Sequence, residues 1–307
     1  MTPVRASRLE VINHFLPFNS HQFNYLKNSF RRDHRSVIIW TSFILFILFV
    51  YHFLSDGDFS FLLTLSSAIG TFGFLLVLYK VITSHSLEGL SLKSLLLYSF
   101  VVFPRLITVL FSDAYLPYDR SGDWIYRGTE TLGAVAIISL LAAYRSFRFT
   151  YYSYIDPFAG HNPSTAFKSI SFLLVLLFGY ALLVHPGLSQ QPILDILWSF
   201  SHYVEAFAIY PQLLLFSRSR KGEIESFTSH FVFSLAVSRL LALLFWCSCW
   251  RELNSNTNVL GSVLAGRSIL LSQFIQIVLM GRYVYYYLHA CLTGIPLVLP
   301  IYRSSRE

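Results

Sequence analysis

The chain has 307 residues, of which 54% are hydrophobic and only 13% are charged. A water-soluble domain of this length carries about 25% charged residues, so the composition indicates an integral membrane protein. The formal net charge is +7, but the basic residues stand in short segments between apolar runs, which is typical of cytosolic loops and argues against nucleic-acid binding.

Eight apolar runs are long enough, or nearly so, to cross a membrane as helices, which takes about 20 residues. They are residues 37–53, 59–82, 92–111, 124–143, 167–184, 193–216, 231–250 and 269–292. The links between them alternate between basic segments and segments that are acidic or poor in Lys and Arg, and the N-terminal segment is strongly basic. The positive-inside rule therefore predicts that both chain ends face the cytosol.

Two short basic links resemble each other. Residues 84–91 follow the second run and residues 222–228 follow the sixth, and both links carry glycine, glutamate and a hydroxyl residue just before the next run. Each link belongs to a unit of three spans with the same orientation. The sequence thus predicts two parallel three-helix repeats joined by the fifth span, with a site between the repeats near the middle of the membrane.

Charged side chains lie inside the predicted spans. The sixth run carries Asp195, His202 and Glu205 at helical spacing, so these side chains share one face, which should point into the bundle. Arg105 and Arg239 lie in two other apolar runs. Two interpretations stay open: Glu205 pairs with one arginine and holds the bundle together, or the arginines line a polar cavity and bind an anion such as a carboxylate.

The chain shows no pattern that predicts catalysis. A nucleophile–base pair, a Gly-rich phosphate loop and a metal-ligand cluster are all missing from the sequence. The three cysteines, Cys247, Cys249 and Cys291, are too sparse for a disulfide framework and lack the spacing of a zinc site. We therefore predict a protein that is not an enzyme and that needs no cofactor or metal ion.

Several segments resemble the core signature of the ER lumen protein-retaining (KDEL) receptors. They are, in chain order, Glu-Gly-Leu-Ser-Leu-Lys-Ser at residues 88–94, residues 197–213, Thr-Ser-His-Phe-Val-Phe at residues 228–233 and Leu-Val-Leu-Pro at residues 297–300. Arg239 and Trp246 continue in register. The resemblance covers about residues 59–300, and the basic N-terminal extension is similar to that of a receptor-related branch known from plants.

The resemblance implies an all-α integral membrane fold. It is a seven-helix bundle related to the SWEET sugar transporters and PQ-loop proteins, with two parallel three-helix repeats, a linker helix and, here, one additional N-terminal transmembrane helix. The chain then divides into a cytosolic basic segment (residues 1–36), the additional helix with a lumenal link (residues 37–58), a receptor-like transmembrane domain (residues 59–300) and a cytosolic tail (residues 301–307).

The resemblance also implies a function. Receptors of this family bind the C-terminal Lys/His-Asp-Glu-Leu signal of escaped lumenal proteins in the acidic Golgi and return them to the ER in vesicles. The expected location is therefore the ER and early Golgi membrane, and the expected partners are the peptide signal, the lipid bilayer and vesicle coat proteins, without nucleic acid. The residues that match the family's signal-binding positions are Arg105, Asp195, Trp198, Glu205, Arg239 and Trp246.

Half of the family's ligand-contacting positions carry other residues here. The family's pH-sensing histidine falls at Gly70, and a basic residue one to two turns earlier falls at Leu63. The tyrosines that flank the second arginine fall at Ser238 and Ala242, and Cys249 stands where a signal-binding arginine is expected. An alternative function therefore stays open: a SWEET-like or PQ-loop-like small-solute transporter or sensor that has lost binding of the retention signal.

Overall fold

A computed structural model describes most of the predicted membrane domain. The described residues are 41, 42, 45, 49, 61–116, 123–151, 156, 163–189, 191–218, 224–254, 262–293, 297 and 299, with backbone only at 163–169, 262, 263 and 293. The four described residues of the first predicted span are helical. The predicted segments 1–36 and 301–307 lie outside the described residues, as does most of the additional helix.

The described residues form helices and no strands, which confirms the all-α class. The helices are α1 (Phe61–Ser84), α2 (Leu92–Phe111), α3 (Asp123–Phe147), α4 (Pro163–Leu183), α5 (Pro192–Ala208), α6 (Tyr210–Arg218), α7 (Ser226–Cys249) and α8 (Ser262–Thr293). Short 3₁₀ turns follow α2, α3 and α7 at Asp113–Tyr115, Arg148–Thr150 and Glu252–Asn254.

The outer faces of these helices are apolar. Within the described part of the chain, α1, α2, α3, α7 and α8 are each long and apolar enough to cross a membrane, and α4 contributes a shorter apolar segment, Ile170–Leu183. Large apolar side chains such as Val135, Phe172, Val175 and Leu271 are exposed on α3, α4 and α8. A surface of this kind is stable in lipid and unfavourable in water, so the chain is a multi-pass membrane protein.

Helix bounds follow the apolar runs where the flanking residues also cap the helix. Helix α2 has the predicted bounds, and its N-cap Ser91 accepts a hydrogen bond from the backbone N–H of Ser94 at 3.3 Å. The predicted starts at residues 231 and 269 were wrong, because α7 begins at Ser226 and α8 at Ser262. Hydropathy marks only the most apolar length of a helix: α7 begins with a turn that contains Ser226, Thr228 and Ser229, and the early turns of α8 contain Gly266 and Arg267.

The sixth predicted span is two helices rather than one. Helix α5 ends at Ala208, and α6 begins at Tyr210, so that Ile209 alone separates them. Pro211 follows at once; because proline has no backbone N–H to donate, the carbonyl one turn earlier loses its helical partner. The break therefore falls where the sequence predicts an unpaired carbonyl, near Phe207.

Helices α1 and α7 approach each other closely. Ser66 Oγ donates to the carbonyl of Ser238 at 2.8 Å, and Ser238 Oγ donates to the carbonyl of Ser66 at 2.6 Å. A Cβ atom added at Gly73 would lie 2.1 Å from Ser234 Oγ, so this glycine is needed for the contact. At Gly70 the nearest atom to such a Cβ would be Ser238 Oγ at 3.1 Å. Small residues thus bring the two backbones together.

Other helix pairs complete the bundle. Helix α1 also packs against α3, and α2 packs against both α3 and α5. Helix α8 packs against α5 and α7, and α4 packs against α5. Helices α2 and α5 therefore each pack against several others, and the polar face of α5 is enclosed by protein on several sides.

A hydrogen-bond network closes one end of the bundle, where α1 ends and α2 begins. The Gln212 side chain accepts from the N–H of Ser91 at 2.8 Å and donates to the carbonyl of Gly89 at 2.7 Å. The N–H of Gln212 donates to Ser94 Oγ at 2.9 Å. Gly89 has φ +79°, a conformation that glycine adopts without strain. We call this end the basic end because it carries Lys80, Lys93, Arg145 and Arg218.

Two buried charges belong to the same end. Asp156 accepts hydrogen bonds from Ser91 Oγ at 2.8 Å and from the Tyr151 hydroxyl. Burial raises the pKa of the Asp156 carboxyl above its ordinary value, and these hydrogen bonds oppose that rise. Lys80 Nζ lies 2.9 Å from Glu225 Oε2 and so ties the end of α1 to the residue that precedes α7. The links at the basic end are thereby fixed to the helices beneath them.

Candidate functional site

The polar face of α5 points into the protein, as its spacing predicts. Asp195, His202 and Glu205 are all buried, with exposed fractions of 1%, 4% and 2%. The helices that enclose this face bring Arg105 from α2 and Arg239 from α7 to it. An ionisable side chain in a membrane bundle is stable when it is paired in this way.

Glu205 is bound by both arginines. Arg105 Nη2 donates to Glu205 Oε2, and Arg239 Nη1 lies 2.6 Å from the same oxygen. Arg239 Nη2 also donates to Ser238 Oγ at 3.0 Å, and His202 Nδ1 lies 3.7 Å from Glu205. The sequence left open which arginine would pair with Glu205; the answer is both, and this carboxylate therefore joins α2, α5 and α7.

A second carboxylate completes the cluster. Glu130 of α3 accepts a hydrogen bond from Ser67 Oγ at 2.9 Å, and its Oε1 lies 4.0 Å from Arg105 Nη1. We call Arg105, Glu130, Glu205 and Arg239 the arginine cluster. Its two arginines and two carboxylates give it a formal charge of zero.

A small cavity adjoins the arginine cluster. Its lining consists of Leu63, Ser66, Ser67, Arg105, Tyr126, Glu130, His202, Arg239, Ala242 and Trp246. The free space in it corresponds to about one water molecule. Arg105 Nε and Trp246 Nε1 are buried and have no hydrogen-bond partner among the described residues. Because buried donors are normally paired, the cavity suits a polar guest.

Aromatic rings lie beside this cavity. The Trp198 ring meets the Trp246 ring edge-on, with centroids 5.2 Å apart, and the His202 ring at 4.4 Å. On its other side Trp198 stacks on Tyr115, with centroids 4.4 Å apart. Gln273 Nε2 lies 3.1 Å from His202 Nδ1 and holds that ring in place. Trp198 therefore separates the arginine cluster from the residues at the start of α5.

Asp195 lies on the far side of Trp198. It accepts hydrogen bonds from the Tyr115 hydroxyl and from the N–H of Ser189, the latter at 3.0 Å. Burial, together with the hydrogen bond to Asp195, raises the pKa of the Tyr115 hydroxyl. Ten helical positions separate Asp195 from Glu205, which corresponds to about 15 Å along the axis of α5.

The structure thus divides the six predicted site residues into two groups. Arg105, Glu205 and Arg239 contact one another, and Trp246 lines the same cavity. Trp198 contacts Trp246, whereas Asp195 belongs to a second polar position. Their predicted roles in ligand binding remain predictions.

Two residues of the site were missed from the sequence. Glu130 is an acid within a predicted span, a signal that was visible but was not connected to Arg105. Tyr115 carries no signal of its own, because its role depends on a 3₁₀ turn that folds over the start of α5. Among the residues that the structure describes, no group of three His, Cys, Asp or Glu side chains could hold a metal ion.

Comparisons with known proteins bear on this site. The family model described as ER lumen protein retaining receptor matches residues 86–249. The chain is 33% identical over 226 residues to ER lumen protein-retaining receptor 2 of Xenopus tropicalis, a match that covers 74% of this chain and 92% of the receptor. The Homo sapiens receptor 2 is 32% identical over 225 residues, covering 73% and 92%. The residues matched by the family model include all six predicted site residues.

Proposed function

Because the chain belongs to the ER lumen protein-retaining receptor family, we propose that it binds the C-terminal retention signals of lumenal proteins and returns these proteins from the Golgi to the ER. The family consists of receptors and not of enzymes. The proposal places the chain in the ER and early Golgi membranes with both termini in the cytosol. Its partners are then the peptide signal, the surrounding lipid and vesicle coat proteins.

The spacing along α5 is the observation that carries this proposal. A fully extended four-residue peptide spans at most about 13–14 Å. Glu205, which both arginines contact, and Asp195 are ten helical positions apart, or about 15 Å along the axis of α5. A tetrapeptide whose terminal carboxylate meets Arg105 therefore brings its first side chain to Asp195, which would hold a basic group.

The aromatic rings between Arg105 and Asp195 form the walls of the proposed peptide site. Trp198 and Trp246 are in edge contact, and the cavity beside them has room for about one water molecule. A peptide can enter only when these rings move apart, so the site is closed. The proposed peptide-binding residues are Arg105, Asp195, Trp198, Glu205, Arg239 and Trp246.

The proposal includes a repeat architecture. Helices α1–α3 form the first three-helix repeat, α5 with α6, α7 and α8 form the second, and α4 links them. The packing supports this arrangement: α2 packs against α5 as α7 packs against α1, and α1 packs against α3 as α5 packs against α8. The arginine cluster then lies between the repeats, because α2 and α3 contribute Arg105 and Glu130, whereas α5 and α7 contribute Glu205 and Arg239.

Peptide binding to the purified protein tests the proposal. The probe is a fluorescent peptide ending in Lys-Asp-Glu-Leu with a free carboxylate, and the comparison is the same peptide amidated at its end. We expect the free carboxylate to bind at least about tenfold more tightly, since one charge-assisted hydrogen bond accounts for that factor. We expect tighter binding at acidic than at neutral pH, because receptors of this family bind their signal in the acidic Golgi.

Arg105→Ala should abolish this binding. The matched control is Asp113→Asn, which removes a carboxylate that is exposed and paired with Arg127 outside the cavity. This control should bind like the wild type. The proposed function would be contradicted if the wild type bound the free and the amidated peptide equally well, or if it bound neither at any pH.

A small-solute transporter or sensor is the second candidate. The observation that favours it is the neutral arginine cluster beside a cavity with room for about one water molecule, since such a site suits a small polar solute better than an anion. The test is uptake of sugars and amino acids into vesicles that contain the protein. Uptake of a solute without any peptide binding would favour the transporter function, whereas the absence of uptake would argue against it.

A further inference from the structure

Glu130 lies where a ligand for Arg105 would have to approach. It is 5% exposed, it lines the same cavity as Arg105 and Arg239, and its Oε1 is 4.0 Å from Arg105 Nη1. The hydrogen bond from Ser67 Oγ, 2.9 Å long, holds its carboxylate at that distance. Glu130 therefore faces the guanidinium across the free space of the cavity.

Arg105 has little binding capacity left for a ligand. Its Nη2 donates to Glu205, its Nη1 faces Glu130, and its Nε is buried without a hydrogen-bond partner among the described residues. An arginine offers its N–H groups in a fixed planar arrangement. A carboxylate can bind the unpartnered Nε, whereas one that binds Nη1 competes directly with Glu130.

The charges in the cavity lead to the same conclusion. Arg105 and Arg239 balance Glu130 and Glu205, so an incoming carboxylate would leave one uncompensated negative charge in a buried site. An uncompensated buried charge is costly, and two carboxylates a few ångströms apart repel each other. Glu205 is bound to both arginines, whereas Glu130 is only near one, so Glu130 is the acid that the ligand has to oppose.

From these contacts we infer that Glu130 is an internal competitor for Arg105, which occupies the carboxylate position and limits the affinity of the site for an anionic ligand. The inference rests on the proposed function, because it concerns the same peptide carboxylate. Glu130 then sets the affinity of the site, because ligand binding requires its side chain to turn away from Arg105.

Glu130→Gln tests the inference, because it removes the charge and keeps the oxygen that accepts from Ser67. The readout is the affinity for the free-carboxylate peptide and for its amidated form, with Asp113→Asn as the control that removes a carboxylate outside the cavity. We expect Glu130→Gln to bind the free-carboxylate peptide at least about tenfold more tightly than the wild type. The amidated peptide should gain less than the free one. Glu130→Ala should show the same gain and replaces Glu130→Gln if that variant fails to fold.

The outcomes separate this inference from the proposed function. If the wild type binds the peptide and neither Glu130 variant gains affinity, the inference is overturned and the proposed function stands. If the wild type binds the peptide and the Glu130 variants bind it more tightly, the inference and the proposed function are both supported. If no variant binds the free-carboxylate peptide at any pH, the proposed function fails and the inference fails with it.

Discussion

The protein contains two buried polar clusters that differ in how completely they are paired. At the basic end, Gln212 uses its side-chain oxygen, its side-chain nitrogen and its backbone N–H in hydrogen bonds to the link before α2 and to α2 itself. In the arginine cluster, Arg105 Nε and the neighbouring Trp246 Nε1 are buried without partners among the described residues. The arginine cluster adjoins the cavity whose lining is described above.

This difference distinguishes a polar network that stabilises the fold from a site that can bind a ligand. Buried polar groups in a stable scaffold are almost always paired, and exceptions concentrate where a protein acts. The Gln212 network connects α6 to the link before α2 and to α2 through bonds between side-chain and backbone atoms. The arginine cluster holds three helices through charge pairs and still leaves donors that a guest can satisfy. Substitutions in the two clusters should therefore affect different properties.

Replacing Glu205 should have the largest effect. Glu205→Gln leaves Arg105 and Arg239 without the carboxylate that they share, and breaking a buried ion pair costs about 3–5 kcal/mol. The measurement is the free energy of unfolding of the purified protein in detergent. The control is Asp113→Asn, which breaks an exposed pair with Arg127 and should cost at most about 1 kcal/mol. Equal effects of the two substitutions would show that Glu205 does not hold the helices together.

Replacing Gln212 should have a smaller effect and should change stability alone. Gln212→Ala leaves the N–H of Ser91 and the carbonyl of Gly89 unpaired in a buried position, which should lower the free energy of unfolding by about 2–3 kcal/mol. Ser217→Ala is the control on α6, since its hydroxyl bonds only to the carbonyl of Leu214 within the helix. The affinity of the folded Gln212 variant for the peptide should equal that of the wild type. If the folded Gln212 variant bound the peptide more weakly than the wild type, the Gln212 network would contribute to binding as well as to stability, which would contradict this prediction.

The sequence predicts the scaffold better than the site. Hydropathy locates α2 because Ser91 caps it at the edge of the apolar run. The break at Ile209 divides a run that was predicted as one span, although Pro211 indicates from covalent geometry that a carbonyl near Phe207 loses its helical partner. The spacing of Asp195, His202 and Glu205 predicts the inward face of α5. These features are local, so one stretch of sequence is sufficient to derive them.

The contacts between helices could not be derived in this way. That Glu205 meets both arginines, and that Glu130 meets Arg105, depends on which helices are neighbours and on their rotation about their axes. The position of Tyr115 over Asp195 depends on a turn between helices. The close contact of α1 with α7 follows from Gly73 facing Ser234, a pairing of two distant segments. A single sequence specifies the residue types for such contacts but not the partners.

We propose that the site binds both ends of a four-residue signal, with the terminal carboxylate at Arg105 and a basic group at Asp195. A double-mutant cycle tests it most directly: the affinity of wild type and Asp195→Asn is measured for the peptide ending in Lys-Asp-Glu-Leu and for the same peptide with alanine in place of that lysine. We expect a coupling of at least about 1 kcal/mol between Asp195 and the lysine. If the lysine contributed equally to binding in both proteins, so that the effects of the two substitutions on the binding free energy added to within about 0.3 kcal/mol, Asp195 would not contact the lysine.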